Sequence, residues 1–111
     1  MQHPLLISAF WAAALLGCMG FAQAQVPDIF KEANAKQGRT LIAEHKCDAC
    51  HAQKWANDGK AVYRPAGRVN TPGLLRGMVE QCNLTLNSGL FPEDVTDIAA
   101  ALNEAHYHFK K

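Results

Sequence analysis

The sequence predicts an all-α domain, and three observations predict it. Apolar residues recur three and four apart along most of the chain, strict alternation of apolar and polar residues is scarce, and two of the apolar stretches open on a proline placed where a helix begins. Asp28 is positioned to cap a first helix, with Ile29, Phe30 and Ala33 on one face. The stretch Gly38-Arg39-Thr40-Leu41-Ile42-Ala43-Glu44-His45 continues the helical pattern up to Cys47. Residues 52–70 contain Gly59, Pro65 and Gly67 and read as an irregular loop. Thr71-Pro72 then gives a side-chain cap followed by proline at the first helical position, where its missing N–H costs nothing. Leu75, Met78, Val79 and Cys82 follow on one helix face, and Asn83 to Gly89 is rich in turn residues. Pro92-Glu93-Asp94 opens the last helix with acids at its positive end, and Val95, Ile98, Ala99, Leu102 and His106 form its buried stripe.

The N-terminus is of another kind. From Leu5 to Ala22 no side chain is charged, and the run ends in Ala22-Gln23-Ala24, the small-x-small pattern that signal peptidase reads. We therefore expect residues 1–24 to be a secretory signal peptide and 25–111 to be the mature domain, located in the periplasm. The alternatives are an uncleaved N-terminal anchor and a lipoprotein signal with Cys18 lipidated; Met1-Gln2-His3-Pro4 lacks the usual Lys or Arg, and Met19-Gly20-Phe21 after Cys18 is still apolar. No stable membrane insertion is expected after cleavage. A domain from Gln25 to Lys111 is small enough to need a staple such as a metal, a disulfide or an apolar prosthetic group.

The formal net charge of +1 argues against nucleic acid or an anionic membrane as partner. The charges are segregated: Lys54, Lys60, Arg64, Arg68 and Arg76 face only Asp58 in their stretch, whereas Glu80, Glu93, Asp94, Asp97 and Glu104 occupy the next without a basic residue. Such separation steers a redox partner or simply makes solvated faces.

Export removes Cys18 and leaves Cys47, Cys50 and Cys82. Cys47 and Cys50 belong to Cys47-Asp48-Ala49-Cys50-His51, a C-x-x-C-H arrangement. This spacing lets two thiols add across the two vinyl groups of one haem, and it leaves the adjacent His51 under the iron as its proximal ligand. A thioredoxin-type pair would need a preceding strand and a βαβ setting; a zinc site would need a second Cys/His pair, which Cys82 alone does not supply. The expected cofactor is thus one covalent haem c, with Cys47, Cys50 and His51 as binding residues and no catalytic residues. Lys60, Arg64 and Arg68 are candidates to pair with the haem propionates, with Trp55 or Tyr63 as further donors.

With this motif in place, the mature chain resembles a small class I cytochrome c. Gly38 and Ile42, nine and five residues before Cys47, occupy the positions of that family's small and large apolar residues, and Asp97-Ile98-Ala99-Ala100-Ala101-Leu102 resembles its terminal helix. The resemblance implies N- and C-terminal helices crossing at Gly38, with a third helix and loops around one haem. It also implies a proline carbonyl accepting the second ring N–H of His51, with Pro65 as the counterpart.

Function depends on the sixth ligand. Val79-Glu80-Gln81-Cys82-Asn83 resembles a segment in small relatives that bind oxygen, where an Asn before the cysteine ligates iron and the cysteine pairs downstream. Here Gln81 takes the Asn position and no cysteine follows Cys82. A second set of relatives, heterodimeric cytochromes with His/Cys ligation, fits the unpaired Cys82 better. Cys82 is accordingly the expected distal ligand, with Met78, the single mature methionine, as the alternative. A vacant site, weak ligation by Gln81 or Asn83, and His106 or His108 stand behind these; Cys82 would otherwise be an inert thiol or an intermolecular disulfide. The leading expectation is a non-enzymatic electron carrier that meets a redox partner protein, as a homo- or heterodimer with another cytochrome where a dimer forms. A carrier of NO, CO or O₂, and a haem subunit of a sulfur- or nitrogen-oxidising complex, are the alternatives.

Overall fold

Helix α1 spans Ala35–Glu44 and starts from Asn34, whose side chain accepts the Gln37 N–H at 3.0 Å. This computed structural model describes residues 25–111, with Gln2 and Gly17 singly. The predicted signal segment otherwise lies outside the described residues, as does Cys18. The chain is all-helical: α1 is followed by α2 (Cys47–Lys54), α3 (Pro72–Leu86) and α4 (Pro92–Leu102), and no strand occurs among the described residues. None of the described helices is long and apolar enough to cross a membrane.

The start of the first helix differs from expectation. Asp28–Phe30 makes only a single 3-10 turn after Pro27, and Asp28 pairs with Lys31 at 2.6 Å rather than capping a long helix. Phe30 still drops into the core, whereas Ile29 remains 42% exposed. A second difference precedes the cysteine motif. Lys46 adopts a left-handed conformation (φ 54°), so α1 stops at Glu44 and α2 starts afresh at Cys47. The reversal aims the motif's helix in its own direction instead of prolonging α1.

Thr71 behaves as its sequence predicts, its hydroxyl accepting the Leu74 N–H at 3.1 Å with Pro72 just inside the helix. The helix runs into the expected turn-rich stretch as far as Leu86 and ends on left-handed Asn87. Asn83 explains this continuation. It is buried, donating to the Leu90 carbonyl at 3.2 Å and accepting the Leu90 N–H at 3.0 Å, so one side chain inside the helix ties down the following loop. At the start of α4 the Asp94 carboxylate accepts the Phe91 N–H at 3.0 Å, satisfying one of the donors that a helix start leaves free.

Packing centres on α4, whose Val95, Ile98, Ala99 and Leu102 are buried as the helical stripe predicts, whereas His106, the last of that stripe, is half-buried beyond the end of the helix. Its most extensive contact is with α1. At the crossing, a Cβ on Gly38 would collide with the Asp97 carbonyl oxygen and come within 2.9 Å of the Ile98 nitrogen, so only glycine permits this approach. The Asp97 side chain secures the same crossing by accepting the Asn34 N–H at 2.8 Å. Arg39 and Glu104 add an exposed ion pair at 3.0 Å, which contributes little in water. Helix α3 joins α4 through Arg76, which donates to the Thr96 hydroxyl at 2.8 Å and to the Pro92 carbonyl at 3.1 Å. Asp94, Asp97 and Glu104 of the acidic stretch thus serve as structural acceptors. The chain leaves α4 in a wide π turn, Asn103–Tyr107, closed by left-handed His108. Buried Asn103 secures it, bonding both the N–H and the carbonyl of Phe109.

Candidate functional site

The four helices and the loop between α2 and α3 enclose a cavity of about 400 Å³. That lies within the roughly 300–1,000 Å³ usual for small-molecule and cofactor sites. Helix α2 contributes Cys47, Cys50 and His51, so all three residues of the C-x-x-C-H motif line one space. Helix α3 contributes Leu75, Met78, Val79 and Cys82, the face expected from their spacing, and Ile42, Leu90, Ile98 and Leu102 complete an apolar lining. Trp55, Tyr63, Arg64 and Arg68 come from the loop, while Lys60 is not among the lining residues.

The donor set suits a covalently held apolar macrocycle. The motif's two free thiols and its imidazole stand in an apolar cavity, with two guanidinium groups at its polar edge where carboxylates would find partners. Among the described residues no group of three or more His, Cys, Asp or Glu side chains is arranged to hold a metal ion.

Burial, with the Asp48 carboxylate next, pushes the Cys47 thiol up, and burial and the nearby Cys50 push Cys82 up. Both are therefore protonated thiols at neutral pH, and Cys82 would lose its proton on binding a metal. Cys82 is exposed on one side while it lines the cavity on the other, and Met78 is 44% exposed. The other distal candidates are placed less favourably. Gln81 is exposed and does not line the cavity, and the Asn83 amide is engaged at both ends by the Leu90 backbone. His106 and His108 are likewise absent from the lining.

The His51 ring bonds differently from expectation. Its Nδ1 lies 3.0 Å from the Tyr63 hydroxyl, so Tyr63 holds the place expected for the Pro65 carbonyl. Trp55 packs edge-on against His51, with ring centroids 5.5 Å apart. Burial lowers the His51 pKa, opposed by the Asp48 charge, and the neutral imidazole is the form a metal requires. His45, exposed just before the motif, also lines the cavity. Neither the Tyr63 bond nor the place of His45 carries a local sequence signal, because each depends on how distant segments meet.

His106 stacks on Tyr63, centroids 4.2 Å apart and planes 16° off parallel. Burial lowers its pKa, against Asp48, which raises it. A depressed histidine contributes stability above its unfolded value, and that contribution is lost as pH falls through the folded value. His51, lowered by burial in the same way, shares this dependence. His106→Phe, which keeps the stack, is expected to lose less stability than the parent between about pH 7 and about pH 5. Denaturant unfolding at the two pH values checks this, and equal losses would contradict it.

No protein family, curated protein or solved structure matches the chain.

Proposed function

We propose that the chain is a periplasmic monohaem c-type cytochrome that carries electrons, with haem on Cys47 and Cys50, His51 as proximal ligand and Cys82 as distal ligand. The observation that carries this reading is the meeting of the whole C-x-x-C-H motif with the Cys82 face of α3 in one apolar cavity. The crossing of α1 and α4 at Gly38 agrees with the class I cytochrome c fold we propose for the domain. When bound, the haem supplies a one-electron iron couple.

The protein's own residues do the rest. Cys47 and Cys50 anchor the group on α2, and His51 presents an imidazole whose other nitrogen is already hydrogen-bonded. The α3 and α4 side chains would exclude water from the bound group, and Arg64 and Arg68 would meet its carboxylates at the loop edge. With His51 and Cys82 both holding the metal, little would rearrange between oxidation states, which favours transfer over ligand capture.

Optical spectra of the oxidised and reduced holoprotein test the assignment. A low-spin spectrum with a thiolate-to-iron band supports Cys82, while the near-infrared band of methionine ligation contradicts it in favour of Met78. The exposure of both distal candidates favours one second reading, a small-gas carrier whose distal ligand is displaced. A high-spin spectrum, or CO binding to the reduced protein as fast as to an open haem, would favour that reading.

A further inference from the structure

Behind His51 the chain folds back on itself. Asn57, Asp58 and Gly59 are all left-handed, with φ of 58°, 54° and 84°. A Cβ on Gly59 would come within 2.6 Å of the His51 carbonyl carbon and of the His51 Cβ. Glycine at this position therefore lets the loop press against the backbone of the histidine itself. The turn delivers Tyr63 to His51, hydroxyl to Nδ1 at 3.0 Å. The Tyr63 ring is itself gripped from the far side. His106 stacks on one face, and Tyr107 meets it edge-on at 6.0 Å. Both belong to the π turn that Asn103 ties to Phe109.

We infer that Tyr63 is the positioning residue of the axial imidazole, fixing its ring plane and its tautomer and tuning the potential of the iron it holds. The inference rests on the haem reading above. An imidazole that gives Nε2 to a metal keeps its proton on Nδ1, so Nδ1 donates and the Tyr63 oxygen accepts. An acceptor there makes the imidazole a stronger electron donor, which stabilises the oxidised metal. The stack on His106 restrains the phenol, so the bond has a fixed direction.

Tyr63→Phe keeps the ring and the stack but removes the acceptor. The holoprotein variant is expected to keep its haem while its reduction equilibrium shifts about tenfold toward the reduced form, about 59 mV for a one-electron couple. His106→Phe preserves the stack and does not touch His51, so its potential should match the parent. An unchanged potential in Tyr63→Phe, with haem attached, would overturn the inference and leave the cytochrome reading intact. A parent chain without covalent haem would overturn both. The parent also answers independently of any variant: in the reduced protein the Nδ1 proton of His51 should give nuclear Overhauser contacts to the Tyr63 ring. Contacts to Pro65 in their place would refute the role of Tyr63.

Discussion

Cys82→Ser is expected to abolish the thiolate-to-iron band and to raise the reduction potential by more than about 59 mV, a greater than tenfold change in the reduction equilibrium. Thiolate is a strong, anionic donor that favours oxidised iron, and a serine hydroxyl in its place is neutral and weak. The substitution is close to isosteric, and Cys82 lies on the open side of the cavity, so the fold should persist. The sixth position should then open, giving high-spin character and faster CO binding. Met78→Leu serves as the counterpart. Met78 lines the same cavity one turn earlier on α3, and its replacement should leave the spectrum unchanged if Cys82 is the ligand. The opposite pattern, an unchanged Cys82→Ser and an altered Met78→Leu, would transfer the role to the methionine.

Gly38→Ala is expected to destabilise the domain by at least about 3 kcal/mol, even though alanine is the better helix former by about 1 kcal/mol. The new methyl group would land on the Asp97 carbonyl, and what it meets is backbone, which cannot rotate away as a side chain would. Relief requires α1 and α4 to separate, weakening the core packing of Leu41, Ile42, Ile98 and Leu102 and the Asn34 bond to Asp97. Gly77→Ala is the control. Gly77 lies inside α3, and nothing stands within 4 Å of the place its new methyl group would take, so the propensity gain is unopposed there. It should leave stability unchanged or raise it by up to about 1 kcal/mol. Denaturant unfolding of the two variants checks both directions, and similar effects at the two glycines would contradict the close crossing.

Gly38 is among the features that were legible in the sequence. It marked the crossing point of the first and last helices, Thr71-Pro72 announced α3, and the stripe from Val95 to Leu102 announced α4. Each is a local signal: a cap, a period, or a missing side chain. The motif itself placed three cavity residues on one helix. Other features needed the folded chain. The left-handed Lys46 that separates α1 from α2 carries no turn residue to reveal it, and lysine is uncommon in that conformation. Asn34 rather than Asp28 starts the first long helix: its side chain caps Gln37 locally, and its N–H also finds Asp97, 63 residues away. Asn83 looked like turn chemistry, yet its amide does that work from inside a helix by holding Leu90. Tyr63 reaches His51 only because three consecutive left-handed residues fold the loop back. Spacing alone does not encode these meetings, since they depend on surfaces brought together from distant parts of the chain.

The central claim is that haem is bonded through Cys47 and Cys50, and intact mass tests it most directly. Protein produced in a periplasm that matures c-type cytochromes should, after acid denaturation, weigh as Gln25 to Lys111 plus one haem. Exchanging both cysteines for alanine should remove that added mass. A parent polypeptide of haem-free mass, or one whose haem is extracted by acid and organic solvent, would contradict the account.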